Sequence, residues 1–72
     1  MTNLTIEQSN LIYLNKGESR NKTIENLIVK LLNVDEEDYF SKDLKELIKN
    51  CIILLEKMTD ETFNSLNLTY EE

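Results

Sequence analysis

The chain contains no proline and a single glycine, Gly17, in 72 residues. Because proline and glycine interrupt helices more strongly than any other residue, their near absence favours a mostly helical chain with short polar turns. A chain of this length makes at most one domain, and its single core typically supplies no more than ~3–5 kcal/mol of stability. We therefore predict an all-α fold. It is a single domain over residues 1–72, a small bundle of three main helices plus a short C-terminal helix.

Two of the main helices are predicted in the first half of the chain. Thr5 fits the N-cap of helix one, with Gln8 as its reciprocal partner in a capping box, and Gly17 fits a left-handed C-cap that ends it. Ser19 fits the N-cap of helix two, which we expect to end near Asn33. The apolar residues expected on the buried sides of these helices are Leu11, Ile12, Leu14, Ile24, Leu27, Ile28, Leu31 and Leu32.

The third helix is predicted from apolar residues that repeat at steps of three and four. Its repeating residues are Leu44, Leu47, Ile48, Cys51, Ile52, Leu55 and Met58. We expect Ser41 or Asp43 to cap this helix, and Tyr39 and Phe40 to form a loop or short turn before it.

A separate short fourth helix is predicted after Thr59. This threonine fits an N-cap, and Asp60 and Glu61 place negative charge in the first turn, where the helix dipole favours it. The residues expected to pack inward from this end of the chain are Phe63, Leu66, Leu68 and Tyr70.

The residue types in this chain allow few of the common catalytic mechanisms. The chain has no histidine, so it has no imidazole base or imidazole metal ligand, and a single glycine cannot form a glycine-rich phosphate loop. Cys51 is the only cysteine, which excludes an intrachain disulfide and argues against a structural zinc site. We expect Cys51 to be a small buried hydrophobe. The sequence thus predicts a non-enzymatic protein with no catalytic residue, no cofactor and no metal.

The charge balance is acidic, with eight Lys and Arg against fourteen Asp and Glu and a net charge of −6. Direct nucleic-acid binding is therefore disfavoured, because phosphate contacts need a basic surface. The acidic run at residues 35–38 is expected to be a solvated connection between helices two and three, or else a docking patch for a basic partner. No segment approaches the ~20 apolar residues of a membrane span. The first residues do not resemble a signal peptide, so a cytoplasmic location is expected.

Three residues are candidates for contact with a protein partner: Arg20, Val29 and Ile53. Arg20 is the only arginine, and its planar fork can bind a carboxylate through two donors, either in this chain or in a partner. Ile53 lies roughly 180° from Leu44 around helix three. We expect helix one or the C-terminal helix to cover Ile53. If it is exposed, it would form with Val29 a small patch for a partner or for a homodimer.

Three stretches carry a resemblance to a known family. They are residues 4–8 (LTIEQ), 17–20 (GESR) and 55–63 (LEKMTDETF). Their order and spacing, over nearly the whole chain, resemble the transposon-transfer assisting protein family. These are small proteins encoded on conjugative transposons of Gram-positive bacteria. Residues 33–43 depart from the family by being longer and more acidic. The resemblance implies an accessory role in transfer of a mobile element, and it offers no catalytic residue to carry over.

The function expected from these observations is docking onto a protein partner of the conjugation or mobile-element machinery. One alternative is an acidic regulator that blocks a DNA-binding surface, which the net charge of −6 motivates. Another is a small helix-turn-helix formed by helices one and two, in which Arg20, Lys22 and Lys30 would contact DNA.

Overall fold

The computed structural model describes residues 4–34, 39–66 and 68. Within them the chain forms four helices: α1 (Ile6–Asn15), α2 (Arg20–Leu32), α3 (Tyr39–Lys57) and α4 (Asp60–Ser65). Helix α3 packs against both α2 and α1, α1 also contacts α2, and α4 packs against α2. No strand occurs in the described residues. The prediction of a small all-α bundle with a short C-terminal helix is confirmed.

The first two helices begin at the predicted caps. The backbone N–H of Thr5 donates to Gln8 Oε1 at 3.0 Å, and the backbone N–H of Gln8 donates to Thr5 Oγ1 at 3.1 Å, which completes the capping box. At the start of α2, Ser19 Oγ accepts a hydrogen bond from the backbone N–H of Lys22 at 3.1 Å. Both caps satisfy N–H groups that a helix leaves without an internal partner.

The end of α1 differs from the prediction. Its C-cap is Lys16 in an extended conformation, with φ −63° and ψ 127°, and Gly17 does not have a positive φ. A glycine is needed at this position because the backbone passes close to the side chain of Lys22. A Cβ on Gly17 would lie 2.8 Å from the Cβ of Lys22. The Gly17 N–H donates to Thr23 Oγ1 at 3.0 Å, and that buried hydroxyl donates to the carbonyl of Ser19 at 2.8 Å. The connection is thereby held against the first turn of α2.

The start of α3 also differs from the prediction. The helix begins at Tyr39, so Tyr39 and Phe40 belong to its first turn, and Ser41 and Asp43 lie inside the helix instead of capping it. Residues 39–43 contain no helix breaker, and extending an existing helix by one residue costs far less than nucleating a new one. The strongly apolar stripe further along α3 therefore supports these earlier turns.

The short helix α4 is formed as predicted. Thr59 is its N-cap, and Thr59 Oγ1 accepts from the backbone N–H of Thr62 at 3.1 Å. The side chain of Phe63 is buried, and Leu66 and Leu68 are partly buried against the core. Lys16 Nζ lies 6.0 Å from the centre of the Phe63 ring. The predicted packing of Tyr70 lies outside the described residues.

The core draws on all four helices. Its buried apolar residues are Leu11, Ile12, Leu27, Ile48, Cys51, Ile52, Leu55, Met58 and Phe63. Four residues expected on buried sides are instead exposed: Leu14, Ile28, Leu32 and Leu44. The helical periodicity identified the apolar stripes correctly, but the bundle has too few helices to cover their edges. No helix in the part of the chain that the structure describes is long and apolar enough to cross a membrane.

Candidate functional site

Arg20 joins the beginning of α2 to two other elements. Its Nε donates to Asp60 Oδ1 at 2.8 Å, and its Nη1 donates to the carbonyl oxygen of Leu55 at 2.8 Å. The Leu55 carbonyl is among the last four of α3, which have no partner within a regular helix. Of the two roles predicted for Arg20, the structure shows the internal one: it binds an acid of this chain. Contact of Arg20 with a partner stays a prediction.

Val29 and Ile53 are both on the surface, with 57% and 48% of their accessible area exposed. The expectation that α1 or α4 covers Ile53 is wrong. At 100° per residue, Ile53 lies roughly 160° around α3 from the buried Leu55. Helices α1 and α4 contribute side chains to the core on the Leu55 side, so Ile53 faces away from both.

Helix α1 covers one side of the α2–α3 pair. On that side, the Nδ2 of Asn26 in α2 donates to the carbonyl of Asn15 in α1 at 2.9 Å. The Sγ of Cys51 in α3 donates to the carbonyl of Gln8 at 3.9 Å. Helix α4 packs where α2 begins and α3 ends, near Arg20. Within the described residues, no helix lies over the opposite side of the pair, which we call the open face.

The open face is apolar along α2. Ile28, Val29 and Leu32 are exposed by 41%, 57% and 78%, and they are neighbours on the helix surface at steps of one, three and four residues. Ile24 and Leu31 border them and are partly buried against the core. A contiguous patch of exposed apolar side chains at the edge of a core marks a surface that another molecule can cover.

Next to Leu32 the surface forms a depression of about 400 Å³ between the end of α2 and the first half of α3. Its lining residues are Leu31, Leu32, Val34, Lys45 and Lys49. Apolar side chains come from α2 and its end, whereas α3 contributes two lysines. Lysine can lay its methylene stem along apolar surface while its ammonium group stays in water. The depression thus has an apolar floor and a positively charged rim.

The rim continues along α3 as a ridge of lysines. Lys45 and Lys49 are followed at four-residue steps by Ile53 and Lys57, and Lys42 falls on the same side of the helix. Four of the eight cationic side chains of this acidic protein therefore lie along one side of α3. Two glutamates, at 46 and 56, also lie on this side, away from the lining of the depression.

The cations of α2 are arranged differently. Lys22 Nζ lies 3.5 Å from Glu25 Oε2, and the Nε of Arg20 is 2.8 Å from Asp60 Oδ1. The helix-turn-helix hypothesis depended on Arg20, Lys22 and Lys30, and the first two make contacts within the chain. Arg20 also borders a polar recess of about 210 Å³ at the first turn of α2, at the other end of the helix from Leu32.

Cys51 is fully buried, as predicted. Burial raises the pKa of its thiol from 9.0 to about 11, because a low-dielectric environment disfavours the thiolate. The thiol is thus a poor nucleophile at neutral pH. Among the described residues, no group of three or more His, Cys, Asp or Glu is placed to hold a metal ion.

Sequence reasoning identified Val29 and Ile53 but missed the centre of the open face. Leu32 and Ile28 were assigned to the core, and Lys45 and Lys49 were not singled out. A usable signal was present in the four-residue spacing of Lys45, Lys49, Ile53 and Lys57. A helix side on which lysines surround an isoleucine, in a chain of net charge −6, is a locally distinct surface.

The described residues form a small all-α fold in which α1 covers one side of the α2–α3 pair and no helix covers the other side. The chain matches no family model, no curated protein and no solved structure. The resemblance to the transposon-transfer assisting proteins consequently stays a prediction based on the three stretches of sequence.

Proposed function

We propose that this protein is a small, non-enzymatic accessory protein of the cytoplasm that acts by binding a protein partner. The observation that carries the proposal is the open face, where Ile28, Val29 and Leu32 are exposed by 41%, 57% and 78% in a protein whose core is already small. Covering these three side chains would contribute roughly 3–5 kcal/mol, given their exposed fractions. That is comparable to the stability that such a core supplies alone, so a partner would also stabilise the fold.

The biological setting that we propose is transfer of a conjugative transposon or a related mobile element. The support is the resemblance of residues 4–8, 17–20 and 55–63 to the transposon-transfer assisting proteins. In this setting the protein binds a component of the conjugation or mobile-element machinery and assists it by docking, with no chemical step of its own.

The setting is tested by transfer frequency. The gene is deleted in a host that carries the element, and wild-type protein or a variant is supplied from a plasmid. We expect deletion to lower transfer to a recipient strain and wild-type protein to restore it. Unchanged transfer after deletion would remove the mobile-element role.

The role of the open face is tested in the same assay by two matched variants. Leu32→Glu places a charge at the centre of the open face, whereas Leu14→Glu places the same charge on α1, at a residue that is 64% exposed. We expect Leu14→Glu to restore transfer and Leu32→Glu not to restore it. Equal restoration by both variants would show that the open face is not the functional surface.

A further inference from the structure

We propose that the segment of the partner that binds the open face is an amphipathic α-helix with an apolar stripe and acidic flanks. The helix would lie along the α2–α3 pair, opposite α1, and form a four-helix layer arrangement with α1, α2 and α3. This inference rests on the proposed function and adds to it the chemistry of the partner.

The shape of the surface favours a helix. Ile24, Ile28 and Leu31 repeat along α2 at steps of four and three, and Leu32 widens this row at its end. On α3, Lys45 and Lys49 form a second row at a four-residue step. Two such rows on adjacent helices leave a groove between them, and a third helix packs into a groove of this kind by its own ridge of side chains. Helix α2 spans about 20 Å at 1.5 Å per residue, which matches three to four turns of a docked helix.

The positive charge of the surface favours a partner helix with acidic residues on both sides of its apolar stripe. Among the described residues, the charged ones that line the depression are Lys45 and Lys49, and Lys42 and Lys57 lie on the same side of α3 together with Glu46 and Glu56. Neither of the ion pairs seen between described residues involves Lys42, Lys49 or Lys57. Carboxylates that flank the apolar stripe of a partner helix would meet the ammonium groups of Lys42, Lys49 and Lys57, whereas lysines in those places would be repelled. Because the pairs are at a rim, they set orientation and partner choice more than affinity.

A second copy of this chain fits the surface less well. A two-fold interface brings the same surface of both copies together. A two-fold arrangement that stacks α3 on α3 would place the lysine row of one copy near that of the other. A separate acidic helix avoids this repulsion.

The test uses two synthetic peptides and ¹⁵N-labelled full-length protein. Both peptides carry the same leucine stripe over about four helical turns, one with glutamates on its flanks and the other with lysines. Each is added up to ~1 mM, where millimolar binding is still detected, and amide chemical shifts are followed. We expect the acidic peptide to shift the amides of residues 28–34 and 45–53. The basic peptide should bind at least about fivefold more weakly, and the difference should shrink as salt is added.

Three variants make the test specific. A double variant with Lys45→Glu and Lys49→Glu should reverse the preference, so that the basic peptide binds more tightly than the acidic one. Leu32→Glu should abolish binding of the acidic peptide, whereas Leu14→Glu should leave it unchanged. Circular dichroism and melting curves establish that each variant is folded before it is titrated. A reversal of preference cannot arise from loss of folding.

Several outcomes would overturn the inference. These are equal binding of the two peptides, no shift with either, or shifts confined to α1. Concentration-dependent self-association that Leu32→Glu removes would assign the open face to a second copy instead. The proposed function fails separately, since it depends on transfer frequency. If Leu32→Glu blocks transfer while both peptides bind equally, the function stands and the acidic-helix partner is wrong.

Discussion

At the residue scale, the guanidinium of Arg20 does what no lysine of this chain could do. Its planar fork reaches the exposed carboxylate of Asp60 and the carbonyl of Leu55 at once, each at 2.8 Å. The two contacts contribute differently to the stability of the fold. Asp60 is 75% exposed, so water and salt screen its attraction, whereas the Leu55 contact is partly buried and satisfies a carbonyl at the end of a helix.

Substitutions of Arg20 should reflect this difference. We expect Arg20→Ala to cost ~1.5–3 kcal/mol, mainly through the lost charged hydrogen bond to the Leu55 carbonyl. Asp60→Asn should cost no more than about 1 kcal/mol. Urea denaturation of the three proteins measures both values. Equal losses in the two variants would show that the ion pair, and not the carbonyl contact, holds the helices together.

The buried thiol of Cys51 provides a second prediction at this scale. With its side chain inaccessible and its pKa raised to about 11, Cys51 should react with a thiol reagent at pH 8 only through unfolding. Its rate should thus rise sharply in urea. Fast modification in native buffer would contradict the burial of this side chain.

The raised pKa also predicts a pH dependence of stability. Because the thiol titrates at a higher pH in the folded state than in the unfolded state, its contribution is fully present below the ordinary thiol pKa of 9.0 and is lost as pH rises toward 11. Between pH 8 and 11, wild-type protein should therefore lose more unfolding free energy than Cys51→Ala. Parallel losses in the two proteins would show that Cys51 does not contribute.

At the element scale, the helices begin where local hydrogen bonding dictates and are held by contacts that are distant in sequence. Thr5, Ser19 and Thr59 each cap a helix through a backbone N–H three residues later. Helix α4 is only six residues long, too short to be stable alone. It depends on its Thr59 cap, on the burial of Phe63 and on the Arg20 contact.

Substitutions in α4 test this dependence. We expect Thr59→Ala to cost ~0.5–2 kcal/mol through loss of the cap, and Phe63→Ala to cost ~3–5 kcal/mol through lost burial. Hydrogen exchange of the amides of α4 should become fast in both variants. If Thr59→Ala is neutral and the exchange of α4 is unchanged, the separate capped helix is the wrong description.

The register of α3 is tested by two residues that lie two positions apart. Leu55 is fully buried and Ile53 is 48% exposed. We expect Leu55→Ala to cost ~2–5 kcal/mol, whereas Ile53→Ala should stay within about 0.5 kcal/mol, as for most surface positions. Thermal or urea unfolding distinguishes them. Comparable losses would mean that Ile53 is covered after all.

These elements show what the sequence could predict. The N-caps of α1, α2 and α4 were predictable because each depends on four consecutive residues, and the buried side of α3 was predictable from its periodicity. The exposure of Leu32 and Ile28 was not, because a helical wheel shows which side is apolar but not whether another helix covers it. Similarly, the role of Gly17 depends on how closely the α1–α2 connection approaches Lys22. The residues of the open face were therefore partly misassigned to the core.

At the scale of the whole molecule, the arrangement of helices explains why a surface is left over. Helix α1 covers one side of the α2–α3 pair, and α4 is too short to reach along the other. The described residues include no further long helix that could cover the open face. The apolar residues of α2 and the lysines of α3 therefore lie together at the surface, where a helix from another protein can supply the missing layer.

The most direct test of partner binding through the open face is site-specific photo-crosslinking in cells. A benzophenone amino acid is placed at Leu32 on the open face or at Leu14 on α1, and the cells are irradiated. We predict that the Leu32 position forms an adduct with one specific protein, and that the Leu14 position does not. Adducts at Leu14 alone, or at neither position while the protein still supports transfer, would contradict binding through the open face.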